Sequence, residues 1–181
     1  MGFEVIGNRK QFDEAVHTLI QKPASNALWT FLNGNDIKFI VNIVDGPSEF
    51  GALLNGGLYH PTIMWNPQKD LAIFGRNRPE QQIQKSWRTV DGVPVRVETL
   101  KWVSKGDPKD EILPPYICLA HEMGHAKQYA ENPALFTSLG TSESISNIEA
   151  IEAENLVMHE WPICLEHNFK VRVNYQDFRS R

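Results

Sequence analysis

Pro114-Pro115-Tyr116-Ile117-Cys118-Leu119-Ala120-His121-Glu122-Met123-Gly124-His125-Ala126 is the stretch on which the reading of this chain turns. Two prolines open it, and proline suits a first helical turn, where its missing N–H costs nothing. From Tyr116 to about Ala130 no breaker follows except Gly124, so the segment is expected to be one helix. On a helix, residues four apart lie on the same side with their Cβ atoms about 5–6 Å apart. His121 and His125 can therefore bring two imidazoles to one metal, and a single zinc ion suits nitrogen donors in this arrangement. Glu122, next to the first histidine, reaches the same face, where a carboxylate can take a proton from water and pass it to a leaving amine. Uncharged Met123 and Gly124 fit a buried metal helix; the charge at Lys127 does not.

A catalytic zinc needs a third protein ligand and an open position. The next helical segment, about Asn147 to Glu160 before Pro162, is rich in carboxylates. At about 100° per residue its apolar face gathers Ala150, Ile151, Ala153, Val157, Met158 and Trp161, with Glu154 in the middle. Glu149, Glu152, His159 and Glu160 fall on the polar side with Asn155. A buried carboxylate is costly unless paired, which makes Glu154 the expected third ligand, with pairing to Arg172 as its other explanation. Glu149, nearer the helix start, is the alternative ligand. Farther on, Arg172 or Tyr175 can donate to the oxyanion of a tetrahedral intermediate; equally, Tyr175 can pack in the core and Arg172 can pair a carboxylate. Residues 128–168 hold seven Glu and no Lys or Arg, which would favour a substrate with basic residues near the cleft.

Outward from these helices, the pattern is α+β. Residues 1–35 are expected to form a helical cap, with Phe12, Val16, Leu19 and Ile20 at helical spacing and a short second helix from Asn26 to Leu32. Residues 36–105 carry a small antiparallel or mixed sheet. Ile37, Phe39, Val41 and Ile43 alternate as in a half-buried strand, Thr62–Trp65 and Leu71–Phe74 are short strands, and Asp91-Gly92 closes a hairpin. Phe50 to Gly57 reads as a mobile loop, and Glu131 to Ser142 as an irregular connection. Residues 114–161 hold the metal-binding helices. A chain of 181 residues, 41% hydrophobic, suits one domain, and a monomer is expected.

The formal charge of −4 argues against nucleic acid or an anionic membrane as partner. Cys118 and Cys164 make no disulfide framework, and Cys118, one turn before His121, is expected to be a small core residue. The N-terminus lacks a basic region followed by an apolar run, so synthesis in the cytoplasm without a Sec-type signal is expected.

Together, Thr62-Ile63-Met64-Trp65-Asn66-Pro67, the Leu119 to Ala126 motif, Ala150-Ile151-Glu152-Ala153-Glu154-Asn155 and Arg172-Val173-Asn174-Tyr175 resemble bacterial effector and toxin metallopeptidases of the NleD type, over about residues 36–175. The resemblance implies a zincin fold, one zinc ion, cleavage of a protein inside a target cell, and secretion into that cell from the bacterium that makes it. It also implies an acidic third ligand on the following helix, which carries over to Glu154. The HExGH motif before a Glu- and Ala-rich helix is similar to ImmA/IrrE-like regulatory peptidases too, although Tyr129 stands where these often carry a further histidine. A third possibility is a non-catalytic protein that keeps zinc to present a surface. In the peptidase reading, a strand such as Thr62–Trp65 is expected to pair with an extended protein substrate.

Overall fold

The computed structural model describes residues 2–55, 58–77, 79–90, 93–103, 109–140 and 145–173. The chain opens with β1 (Glu4–Ile6), α1 (Arg9–Leu19) and α2 (Pro23–Asn33), and returns to the sheet in β2 (Ile40–Ile43). Phe12, Ala15, Val16 and Leu19 recur at helical spacing and are the buried face of α1. Full burial of Phe12, Val16 and Leu19 contributes about 1.5–3 kcal/mol each. Pro23 starts α2, whose Ala24 N–H donates to Glu166 at 2.9 Å.

β3 (Glu49–Asn55) and β4 (Leu58–Trp65) complete a four-stranded sheet of order β1-β2-β4-β3. β1, β2 and β4 run parallel, and β3 is antiparallel to β4. The architecture is thus mixed α+β with a small mixed sheet. The parallel β1–β2 pair is joined by the α1–α2 crossover and the parallel β2–β4 pair through β3, because parallel neighbours need a long connection. β5 (Leu71–Gly75) pairs antiparallel with β8 (Lys109–Leu113), and β6 (Glu80–Val90) with β7 (Val93–Val103) forms a separate hairpin.

Then come α3 (Pro115–Glu131), α4 (Pro133–Gly140), α5 (Ile145–Asn155), a π-helical turn at Leu156–Glu160, and α6 (Trp161–Glu166). One buried cluster joins α1 and α2 (Phe12, Leu28), the sheet (Val41, Ile63, Trp65), α3 (Leu119, Met123, Ala126) and the C-terminal part (Trp161, Val171). No helix among the described residues is long and apolar enough to cross a membrane.

Three expectations change. The supposed loop from Phe50 is mostly strand β3, and the connection after Glu131 contains helix α4. Pro162 does not end the second helix: it sits in the first turn of α6, where its missing N–H is harmless. Glycine and proline dominated those readings, and here tertiary packing overrides them.

Candidate metal centre

α3 runs through the interior, so Leu119 to Ala126 are all buried, the polar motif residues included. His121 and His125 face each other with Nε2 atoms 3.2 Å apart. Glu152 of α5 meets both: Oε2 lies 3.4 Å from His121 Nε2, and Oε1 3.3 Å from His125 Nε2. These three residues form a possible metal-binding triad. Glu152 Oε2 is buried and has no hydrogen-bond partner among the described residues. Such an atom is costly unless something satisfies it, and a cation between the three side chains would do so.

The third member is therefore Glu152, not Glu154. Glu154 is exposed and accepts a 2.8 Å hydrogen bond from Gln128 Nε2. Glu149 is exposed as well. The reason is phase and polarity together. The face of α5 that meets α3 is polar because it meets a polar site, and Asn155, His159 and Glu160 are buried on it while Met158 points to solvent. Glu152 and Glu160, eight residues apart, would diverge by about 80° on a regular α-helix. The π-turn between them takes up roughly one extra residue, which restores about the i,i+7 relation and turns both toward the histidines.

Behind each imidazole stands a hydrogen-bonded support. His125 Nδ1 lies 2.9 Å from Gln128 Oε1, and Gln128 Nε2 donates to Ile151 O at 3.1 Å and to Glu154. With its amide nitrogen committed to two acceptors, Gln128 presents oxygen to His125. Nδ1 must then carry the proton, leaving the Nε2 lone pair for a metal. His121 Nδ1 lies 2.7 Å from Glu160 Oε2. Glu160 is gripped in turn by Arg172, Nε to Oε1 at 2.9 Å and Nη2 to Oε2 at 2.7 Å. Arg172 is thus a carboxylate partner, one of the two readings above. As an oxyanion donor it is misplaced, since it lies on the Nδ1 side of His121, away from Nε2. Tyr175 lies outside the described residues.

Asn155 is wholly buried and donates to the His121 carbonyl at 3.0 Å. Its Oδ1 packs over Gly124, where any Cβ would collide with it. That close approach explains the glycine in the motif. Lys127, the misfit in the sequence pattern, lies over the Phe31 ring at 5.3 Å and pairs with Glu131 at 3.6 Å, so only its stem is covered.

Burial raises the Glu122 carboxyl above its ordinary pKa, opposed by His121 and His125. A poorly solvated carboxylate beside the possible triad has a raised affinity for a proton. Burial also works against a charged His121, but the Glu152 and Glu160 carboxylates outweigh it and hold the imidazole up to about 9. Glu160 is drawn down to about 2 against its burial, chiefly by Arg172. The carboxylates of Glu152 and Glu160 thus face the guanidinium of Arg172 and the imidazoles of His121 and His125 in the interior.

His159, left without a role by its spacing, is buried beside the site, and burial lowers it to about 4. Sequence reasoning missed Glu152, Gln128, Asn155 and Glu160 as members of this centre. The signal available was the density of polar residues at 152, 155, 159 and 160 on one helix. No protein-family model, curated protein or solved structure matches the chain.

Proposed function

We propose that this chain is a zinc-dependent endopeptidase in which His121, His125 and Glu152 hold the metal and Glu122 is the general base. The observation that carries the reading is that the two imidazole Nε2 atoms stand 3.2 Å apart and each has one oxygen of the Glu152 carboxylate beside it, Oε2 at 3.4 Å from His121 and Oε1 at 3.3 Å from His125. Ligands about 2.0–2.1 Å from a tetrahedral zinc stand about 3.3–3.4 Å from one another. Two neutral imidazoles and one carboxylate also match the donor set of known hydrolytic zinc sites.

A zinc ion held there supplies Lewis acidity, which lowers the pKa of water and polarises a carbonyl. Glu122 takes the proton from the attacking water as the new C–O bond forms, and returns it to the amine nitrogen as the C–N bond breaks. Substrate alignment falls to the edge of the sheet. Thr62–Trp65, first expected in that role, is ruled out because β4 is paired on both sides, by β2 and β3. β1 and β3 are the edge strands of this sheet as described, and Phe50 of β3 packs against Tyr129 of α3, one turn past His125. An extended peptide added along β3 would lie beside the motif helix. Action on a protein in another cell, after secretion, rests on the sequence resemblance alone.

The test is Glu122→Gln with a denatured protein such as casein as substrate. The variant is expected to retain one equivalent of zinc and lose at least about a hundredfold in cleavage rate. Unchanged cleavage would overturn the assignment.

A further inference from the structure

We propose that Glu160, clamped by Arg172, is the positioning residue for His121: the pair fixes this imidazole as the Nδ1–H tautomer and aims its Nε2 lone pair at the metal. This rests on the metal reading above. A buried ion pair is not by itself evidence of a role, because such pairs are often replaceable by apolar groups without loss of stability. The geometry here does more than pair two charges. The planar guanidinium holds both carboxylate oxygens, so the plane of the carboxylate is fixed. Three polar atoms face His121 Nδ1: Glu160 Oε2 at 2.7 Å, Asn155 Nδ2 at 3.2 Å and Arg172 Nη2 at 3.3 Å; the nearest of them is the one acceptor, so it draws the proton to Nδ1.

Arg172 is itself held from several sides. Trp161 Nε1 donates to its carbonyl at 2.7 Å. The preceding residue, Val171, exchanges two main-chain hydrogen bonds with Arg76 at the end of β5, at 2.7 and 3.0 Å. The C-terminal segment is thus pinned to the sheet at the point where it delivers one guanidinium to the metal helix. The π-turn serves the same end, since it brings Glu160 round to the face that carries Glu152. The two ligands are supported unequally. His125 leans on the neutral amide of Gln128, whereas His121 leans on an ionised carboxylate, which makes it the more strongly donating imidazole.

Zinc affinity, read by competition with a chromophoric chelator at neutral pH, tests this without reference to peptide cleavage. Glu160→Gln is expected to weaken zinc binding about 10–100-fold. Because that change strands Arg172, the double variant Glu160→Gln with Arg172→Met removes both charges and is measured alongside, with circular dichroism as the check on folding. Cobalt-substituted protein gives a signature that a merely structural pair would not. The wild type is expected to show two hyperfine-shifted, exchangeable ring N–H signals, and the variants to lose one of them to fast exchange. Zinc affinity within twofold of wild type in the folded double variant, with both signals retained, overturns the proposal. If the wild type takes up no zinc, the peptidase reading falls and this one with it. If wild type and variants bind zinc equally, only this one falls.

Discussion

Gly124→Ala puts the packing of the centre to its hardest test. A Cβ on Gly124 would overlap Asn155 Oδ1 outright and lie 3.0 Å from Asn155 Cγ and 3.1 Å from His159 Cβ. Carbon atoms in contact prefer about 3.5–4.0 Å, so the neighbours must move by at least about half an ångström. Asn155 cannot simply rotate away, because its Nδ2 donates to the His121 carbonyl and it is wholly buried. Overpacking of this kind costs about 1–3 kcal/mol. Loss of the Asn155 hydrogen bond adds about 1 kcal/mol. Against this, alanine is the better helix former by about 1 kcal/mol. The net expectation is a destabilisation of about 1–3 kcal/mol, or roughly 3–10 °C in Tm for a chain of this size. Thermal unfolding followed by circular dichroism reads it, on metal-free protein so that changes in affinity do not mix in. Adding Asn155→Ala should recover part of the loss, a non-additivity expected only if the two residues collide. The reasoning is refuted if Gly124→Ala alone is as stable as the wild type or more so, which is the result for an ordinary helical glycine.

Removing Glu152 and removing Glu154 should separate ligand from support: after dialysis, Glu152→Ala is expected to have lost its zinc, while Glu154→Ala keeps it with about a tenfold weaker affinity, and the opposite order would return the ligand role to Glu154. In the metal-free protein His121 is raised from 6.5 to about 9, so its proton contributes stability fully below pH 6.5 and loses that contribution as pH rises through 9. Zinc uptake at pH 7 should consequently expel about one proton, measured as a calorimetric heat that depends on the ionisation enthalpy of the buffer. A buffer-independent heat would mean that the site is not protonated beforehand. The Cys118 thiol is pushed up to about 12, mainly by burial and then by the charges of Glu160 and Glu122, and burial raises Cys164 likewise. Neither should be alkylated by iodoacetamide at pH 8 until the protein is unfolded, and labelling of the native protein would contradict the packing of α3 against α6.

How far the sequence carries the fold depends on whether local pattern and packing agree. They agree in α1, where Phe12, Val16 and Leu19 form the buried face, and at Pro115, which opens α3. Helices α1 and α2 and the antiparallel pairing of β6 with β7 were legible for the same reason, although β1, inside the expected cap, joins the sheet; Asp91 and Gly92 lie outside the described residues. They disagree in β3. Gly51 broke the period of that segment, yet the segment pairs along its length with β4, from Glu49 opposite Met64 to Asn55 opposite Leu58. A strand whose register is set by its neighbour need not show alternation of its own. The parallel pairing of β1, β2 and β4 was also invisible locally, because it depends on how the strands are connected, through α1 and α2 and then through β3, and not on any one strand.

The metal centre divides along the same line. His121, Glu122 and His125 are joined by a four-residue rule that any straight helix obeys, so they could be read from spacing. The third member could not, for two physical reasons. A hydrophobic wheel assumes that the buried face is apolar, and here the buried face of α5 looks at a cation site. It carries Glu152 and Asn155, with His159 and Glu160 in the turn that follows; of the face the wheel chose, Ile151 and Trp161 are buried, while Ala150, Ala153 and Glu154 are exposed. The wheel also assumes a constant 100°, and the π-turn at Leu156–Glu160 breaks that constancy between the two carboxylates that matter. Charge shows a way round both failures. A helix that buries two carboxylates needs cations to meet them, and the described interior offers Arg172 to Glu160 while Glu152 has only two imidazoles. The arginine satisfies one carboxylate, and the other faces the two imidazoles with which it forms the possible metal-binding triad.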